Sequence, residues 1–125
     1  MEEQEVAYFF DTYAIIEILK QNPNYERYSN LSPTFTIFNL AEIYYSVLKD
    51  YGVEKAKDIY EDYKTMVVEI NDSVLQESMH FRYDNKKKDI SYSDSIGYTY
   101  AKKNNMKFLT GDKEFEDLEN VEFVK

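Results

Sequence analysis

An α/β domain built on a mostly parallel sheet is what this sequence predicts, and three features lead there. Five short apolar runs alternate with stretches whose apolar residues recur every three or four positions, the strand and helix order that defines the class. The first run, Val6-Ala-Tyr-Phe-Phe10, is apolar without alternation, as strands buried on both faces of a parallel sheet are. Only 3 Gly and 2 Pro in 125 residues argue against a turn-rich all-β chain and against disorder.

The elements follow in order. Val6–Phe10 is the first strand and ends at Asp11. Thr12 to Lys20, with Ile15, Ile16, Ile18 and Leu19, is a short apolar helix stopped by Asn22-Pro23. Thr34–Phe38 is a β-branched and aromatic run and predicts the second strand. Asn39 then caps a helix carrying Leu40, Ile43, Tyr44, Val47, Leu48 and Tyr51, which Gly52 ends. A second helix follows with Val53, Ala56, Ile59, Tyr60 and Tyr63 on one face, so the two form an antiparallel pair. Met66–Ile70 is the third strand, and Asn71 or Asp72 caps a helix to about Tyr83. After the polar loop Asp84–Asp89, a helix runs from Ser91 to about Asn104. Lys107–Thr110 and Val121–Val124 are the last two strands, separated by a turn at Gly111-Asp112. The length is that of one domain, residues 1–125, with enough apolar residues (43%) for a core.

Charge and composition narrow the function. With 24 acids against 15 bases the chain carries a net charge of −9, so its mean field repels nucleic acid. A nucleic-acid substrate therefore requires bound cations and a local basic patch. The absence of Cys removes disulfides, thiol nucleophiles and thiolate metal sites. Met1-Glu-Glu-Gln-Glu5 lacks the basic start and apolar run of a secretory signal, and no apolar run approaches the ~20 residues of a membrane span. A cytoplasmic location is the expectation.

Four acids stand out: Asp11, Glu42, Asp94 and Asp112. Each also has a plain structural reading. Asp11 and Asp112 are placed to be N-caps, Glu42 falls where a box begun by Asn39 wants an acid, and Asp94 completes a Ser91-x-x-Asp94 box. Asp94 shares a helix face with Gly97 and Ala101, which lets its helix approach the sheet closely. Jointly, each acid occupies a strand end or the first turn of the helix after one, and in a right-handed parallel fold those positions share one edge. Gathered carboxylates repel unless protonated or bridged, and an all-oxygen set suits Mg²⁺ or Mn²⁺, so a metal cage is expected there.

Phe10-Asp11-Thr12, Asn39-Leu-Ala-Glu42, Ser91-Tyr-Ser-Asp94-Ser and Leu109-Thr110-Gly-Asp112-Lys-Glu-Phe115 together resemble the motifs of PIN-domain ribonucleases, most closely the small VapC-like toxins. The resemblance covers nearly the whole chain. It implies a PIN-like three-layer sandwich with about five parallel strands, and Mg²⁺ or Mn²⁺ held by Asp11, Glu42, Asp94 and Asp112 with Thr110 supporting them. It implies as well an RNA substrate, a homodimer and a cognate antitoxin. Tyr13 departs from the family, which often has a small polar residue there.

The expected activity is metal-dependent endoribonuclease cleavage of RNA, with Asp11 and Asp112 as direct ligands, Asp94 as a direct or water-mediated ligand, and Glu42 orienting the water or completing a second metal site. Lys86, Lys87 and Lys88 are candidate phosphate contacts, read alternatively as a solvated loop. Lys102, Lys103 and Lys107 suit a helix C-terminus, Glu116 and Asp117 a solvated turn, and His80 a surface position. The competing classes are a non-catalytic protein-binding module and a receiver domain. A receiver needs an acidic pair after the first strand, an acceptor Asp at the end of the middle strand and a Lys beyond the last, whereas this chain has a single Asp11, Ile70-Asn71 and only the terminal Lys125.

Overall fold

The computed structural model describes residues 6–125, and its elements keep the expected order. β1 (Tyr8–Phe10) leads into α1 (Thr12–Leu19) and a 3₁₀ turn over Pro23–Tyr28. β2 (Phe35–Thr36) passes directly into α2 (Ile37–Tyr51), which pairs with α3 (Val53–Tyr63) ahead of β3 (Val67–Val68). α4 (Asp72–Asp84), α5 (Tyr92–Lys103), β4 (Lys107–Thr110) and β5 (Val121–Phe123) complete the chain. The acidic opening Met1–Glu5 lies outside the described residues.

Every strand pairing is parallel. β1, β4 and β5 form one ladder in the order β1-β4-β5, with Phe9 opposite Phe108 and Phe10 opposite Leu109. β2 and β3 form a second, and it touches the first at a single bridge between Phe9 and Thr34, where the Phe10 amide donates to the Thr34 carbonyl at 2.9 Å. The expected sheet of about five strands is thus found as a three-stranded and a two-stranded ladder meeting at one point. Among the described residues β3 pairs only with β2, whereas a receiver fold places its third strand beside the first.

The junction at β2 departs from expectation for a local reason. The strand expected over Thr34–Phe38 stops at Thr36, and that residue, not Asn39, is the N-cap of α2. Thr36 Oγ1 accepts the Asn39 amide at 3.4 Å and Asn39 Oδ1 accepts the Thr36 amide at 2.9 Å, a closed capping box that pulls Ile37 and Phe38 into the helix. Glu42 accordingly lies in the second helical turn. The strand expected over Met66–Ile70 likewise shortens to Val67–Val68.

α5 packs against β1 and β4. A Cβ built on Gly97 would stand 2.6 Å from the Phe9 ring, so the close approach expected of the Asp94, Gly97 and Ala101 face is realised. Phe9 and Phe108 stack across the ladder with centroids 5.8 Å apart, and Tyr98, Phe81 and Phe115 extend this aromatic core. Alternation along the strands turns Phe10 and Leu109 to the other face, where they too are buried. The tyrosine hydroxyls find acceptors: Tyr25 donates to the Val124 carbonyl and Tyr98 to that of Glu119, both at 2.6 Å, while Tyr8 and Tyr28 donate to Glu122. Among the described residues no helix is long and apolar enough to cross a membrane.

Candidate functional site

Because β1 and β4 are neighbours in register, the residues that follow them emerge side by side. Asp11, Glu42, Asp94 and Asp112 line one open cleft of about 450 Å³, together with Thr12, Tyr13, Gly111, Lys113 and Lys125.

Both oxygens of the buried Asp11 are engaged. Oδ1 accepts the Ala14 amide at 2.8 Å, capping α1, and Oδ2 accepts the Thr110 hydroxyl. The Asp112 amide donates to that hydroxyl at 3.0 Å, and Asp112 Oδ1 accepts the Glu114 amide at 3.0 Å, capping the 3₁₀ turn over Lys113–Phe115. The capping readings of Asp11 and Asp112 therefore hold, and both capped acids face the same cleft.

Asp94 stands on the first turn of α5, where Ser91 Oγ accepts its amide at 3.1 Å. Glu42 Oε1 accepts two hydroxyls, from Thr12 at 2.6 Å and Ser93 at 2.8 Å. Behind them the fully buried Asn39 donates its Nδ2 to both hydroxyl oxygens, at 3.1 and 3.4 Å. An amide N–H brings no lone pair, so each hydroxyl directs its own proton to Glu42.

The electrostatics are those of crowded, partly dry carboxylates. Burial, then the charge of Asp94, raises the Asp11 carboxyl well above its ordinary range; its bonds from Thr110 and Ala14 oppose this, and Asp112 adds to it. Burial, then the charge of Glu42, pushes Asp94 up to about 7, with Asp112 adding and Ser91 opposing. The expected cage is not closed, however: among the described residues no three acidic or imidazole side chains stand at metal-ligand spacing. Asp11 and Asp112 are each held as the cap of a separate turn.

Several neighbours carried no sequence signal of their role. Thr12, Asn39 and Ser93 meet only through tertiary contact, and Lys113 and Lys125 join the rim. Tyr13, the departure from the family pattern, lies over Gly111, where a Cβ would stand 2.1 Å from its ring. The bulky ring is accommodated because residue 111 has no side chain. Lys86 and Lys88 border a different groove, Lys88 Nζ donates to the Glu114 carbonyl at 3.2 Å, and Lys87 lines neither. Lys102 pairs with Glu119 at 2.6 Å and Lys103 with Glu77 at 2.7 Å, while His80, Glu116 and Asp117 are exposed.

Parallel strands opening onto a carboxylate-lined cleft beyond their carboxyl ends define an α/β domain with an acidic site at the sheet edge. The chain belongs to the PIN domain family, whose model matches residues 8–121. Its fold is similar to that of a chain in a toxin–antitoxin complex from Klebsiella pneumoniae, with a TM-score of 0.71, 16% identity, and 93% of this chain and 95% of that one covered. The DNA-bound VapBC of Salmonella typhimurium gives 0.71 at 16% identity, covering 95% and 97%. VapBC2 of Rickettsia felis, bound to a promoter DNA fragment, gives 0.69 at 18%, covering 96% and 100%. No curated protein matches the chain.

Proposed function

We propose that the chain is a divalent-cation-dependent endoribonuclease of the VapC kind, the toxin of a toxin–antitoxin pair, acting in the cytoplasm. The observation that carries this reading is the meeting of Asp11, Glu42, Asp94 and Asp112, from four separate segments, around one cleft. The donor set fits a hard cation: it is all oxygen, and Asp11 and Asp94 are held above their ordinary range by burial and neighbouring carboxylates, a cost that a positive ion removes.

Asp11 and Asp112 would hold Mg²⁺ or Mn²⁺ directly, with Asp94 as a direct or water-mediated ligand. When bound, the ion supplies Lewis acidity toward water and the phosphodiester. Thr110 fixes the Asp11 carboxylate through its hydroxyl. Glu42, held on one oxygen by Thr12 and Ser93, orients the attacking water with the other. No side-chain nucleophile is required, and a chain without Cys offers no thiol for one.

The fold likeness to chains of VapBC complexes supports a cognate antitoxin; in this reading the antitoxin obstructs the cleft and the chain acts as a homodimer. Incubating the purified chain with single-stranded RNA and Mn²⁺ tests the activity: cleavage that EDTA abolishes is expected. Intact RNA across tRNA, rRNA and mRNA substrates at every Mn²⁺ concentration would refute it and leave a protein-binding module.

A further inference from the structure

The nuclease reading leaves a physical question open: what holds a polyanion on a protein of net charge −9. A second groove of about 460 Å³ runs between α4 and the start of α5, and its wall carries Arg82, Lys86 and Lys88 against the single acid Asp89. Two tyrosines border it, Tyr83 at 68% exposure and Tyr92 at 61%. Cations and rings are paired there: the Arg82 guanidinium lies 4.1 Å from the Tyr92 centroid and the Lys86 ammonium 4.7 Å from that of Tyr83. Arg82 is fixed by donating Nε–H to the Ile90 carbonyl at 3.0 Å.

We infer that this groove binds a single-stranded RNA segment, with phosphates on Arg82, Lys86 and Lys88 and bases stacked on Tyr83 and Tyr92. The inference rests on the nuclease reading and extends it to where the strand lies. Exposed rings beside cations suit unpaired bases, since every base has a π face and a duplex hides it. An acidic protein would use the cations alone. The groove and the acidic cleft share no lining residue, but the elements that build them are joined at two points. Tyr92 lies two residues before Asp94 on the first turn of α5, and Lys88 is tied to Glu114 in the turn that Asp112 caps.

The test is the fluorescence anisotropy of a labelled single-stranded oligoribonucleotide with the full chain in EDTA, as a function of salt. Tyr83→Leu and Tyr92→Leu, both at exposed positions, should each weaken binding about tenfold, the value of one stacked base. Lys86→Gln should lower the slope of log K against log salt by about 0.7, one phosphate contact. Tight binding that these variants weaken supports the groove even if the chain never cleaves RNA, in which case only the nuclease reading fails. Unchanged RNA affinity in all three overturns the proposal, as does a wild-type chain that does not bind the oligoribonucleotide.

Discussion

Thr110 donates its hydroxyl to Asp11 Oδ2 across 99 residues of sequence, while its own Oγ1 accepts the Asp112 amide. One buried hydroxyl thereby sets the spacing of two acids that follow neighbouring strands. Thr110→Val keeps the shape and removes both bonds. It should cost about 1–3 kcal/mol in denaturant unfolding, the price of unsatisfied buried groups, and lower kcat/KM for RNA well beyond what Thr110→Ser does. Equal activity in the two variants would separate Thr110 from the site.

A pH dependence follows from Asp94. Its folded value of about 7 exceeds the unfolded value of about 4, so the folded state holds the proton more tightly. This contribution to stability is complete below pH ~4 and is lost as the pH rises through about 7. Without divalent ions, the melting temperature should fall over that interval. Asp94→Asn should flatten the fall and melt higher at pH 8 by about 5 °C. Added Mn²⁺ should raise the wild-type midpoint at pH 8 and the variant's much less. A wild-type profile flat in pH and blind to Mn²⁺ would contradict the electrostatics described.

Gly97 tests the approach of α5 to the sheet. A Cβ there meets Phe9 ring carbons at 2.6 and 2.9 Å, inside contact distance, and Phe9 is itself fully buried. Gly97→Ala should therefore destabilise the protein by about 1–3 kcal/mol despite the better helix propensity of Ala. Because the same helix carries Asp94, RNA cleavage should fall as well. A more stable Gly97→Ala variant would mean that α5 lies farther from β1.

Asn39 provides a separate handle on Glu42. Asn39→Ala frees the Thr12 and Ser93 hydroxyls to turn away and opens the capping box of α2, so a loss of about 2 kcal/mol is expected. Ser93→Ala removes a single donor to Glu42 and should leave the melting temperature within a few degrees while lowering kcat more than it alters KM. Unchanged kcat in Ser93→Ala would detach this network from the reaction.

How far the sequence reached can be read from these residues. Asp11, Asp94 and Asp112 were legible because each sits where an apolar run ends or a helix begins, and the parallel order gathers such positions on one edge. Thr34–Phe38 misled because its β-branched and aromatic residues suit a strand, while a box closed by Asn in place of Glu or Gln starts the helix three residues early. Bonds from Asn39 to Thr12 and Ser93 span 27 and 54 positions and obey no period, so only the fold reveals them. The Lys86–Lys88 run marked a basic region, yet its partners Arg82, Tyr83 and Tyr92 come from helix surfaces that no run announces.

Calorimetric titration of Mn²⁺ into the wild-type chain and into Asp11→Asn and Asp112→Asn bears most directly on the claim that the gathered acids hold a hard cation. Saturable binding to the wild type is expected, lost or weakened at least tenfold in both variants, with RNA cleavage lost in parallel. Cleavage that persists in EDTA, or Mn²⁺ binding unaltered by either substitution, would contradict it.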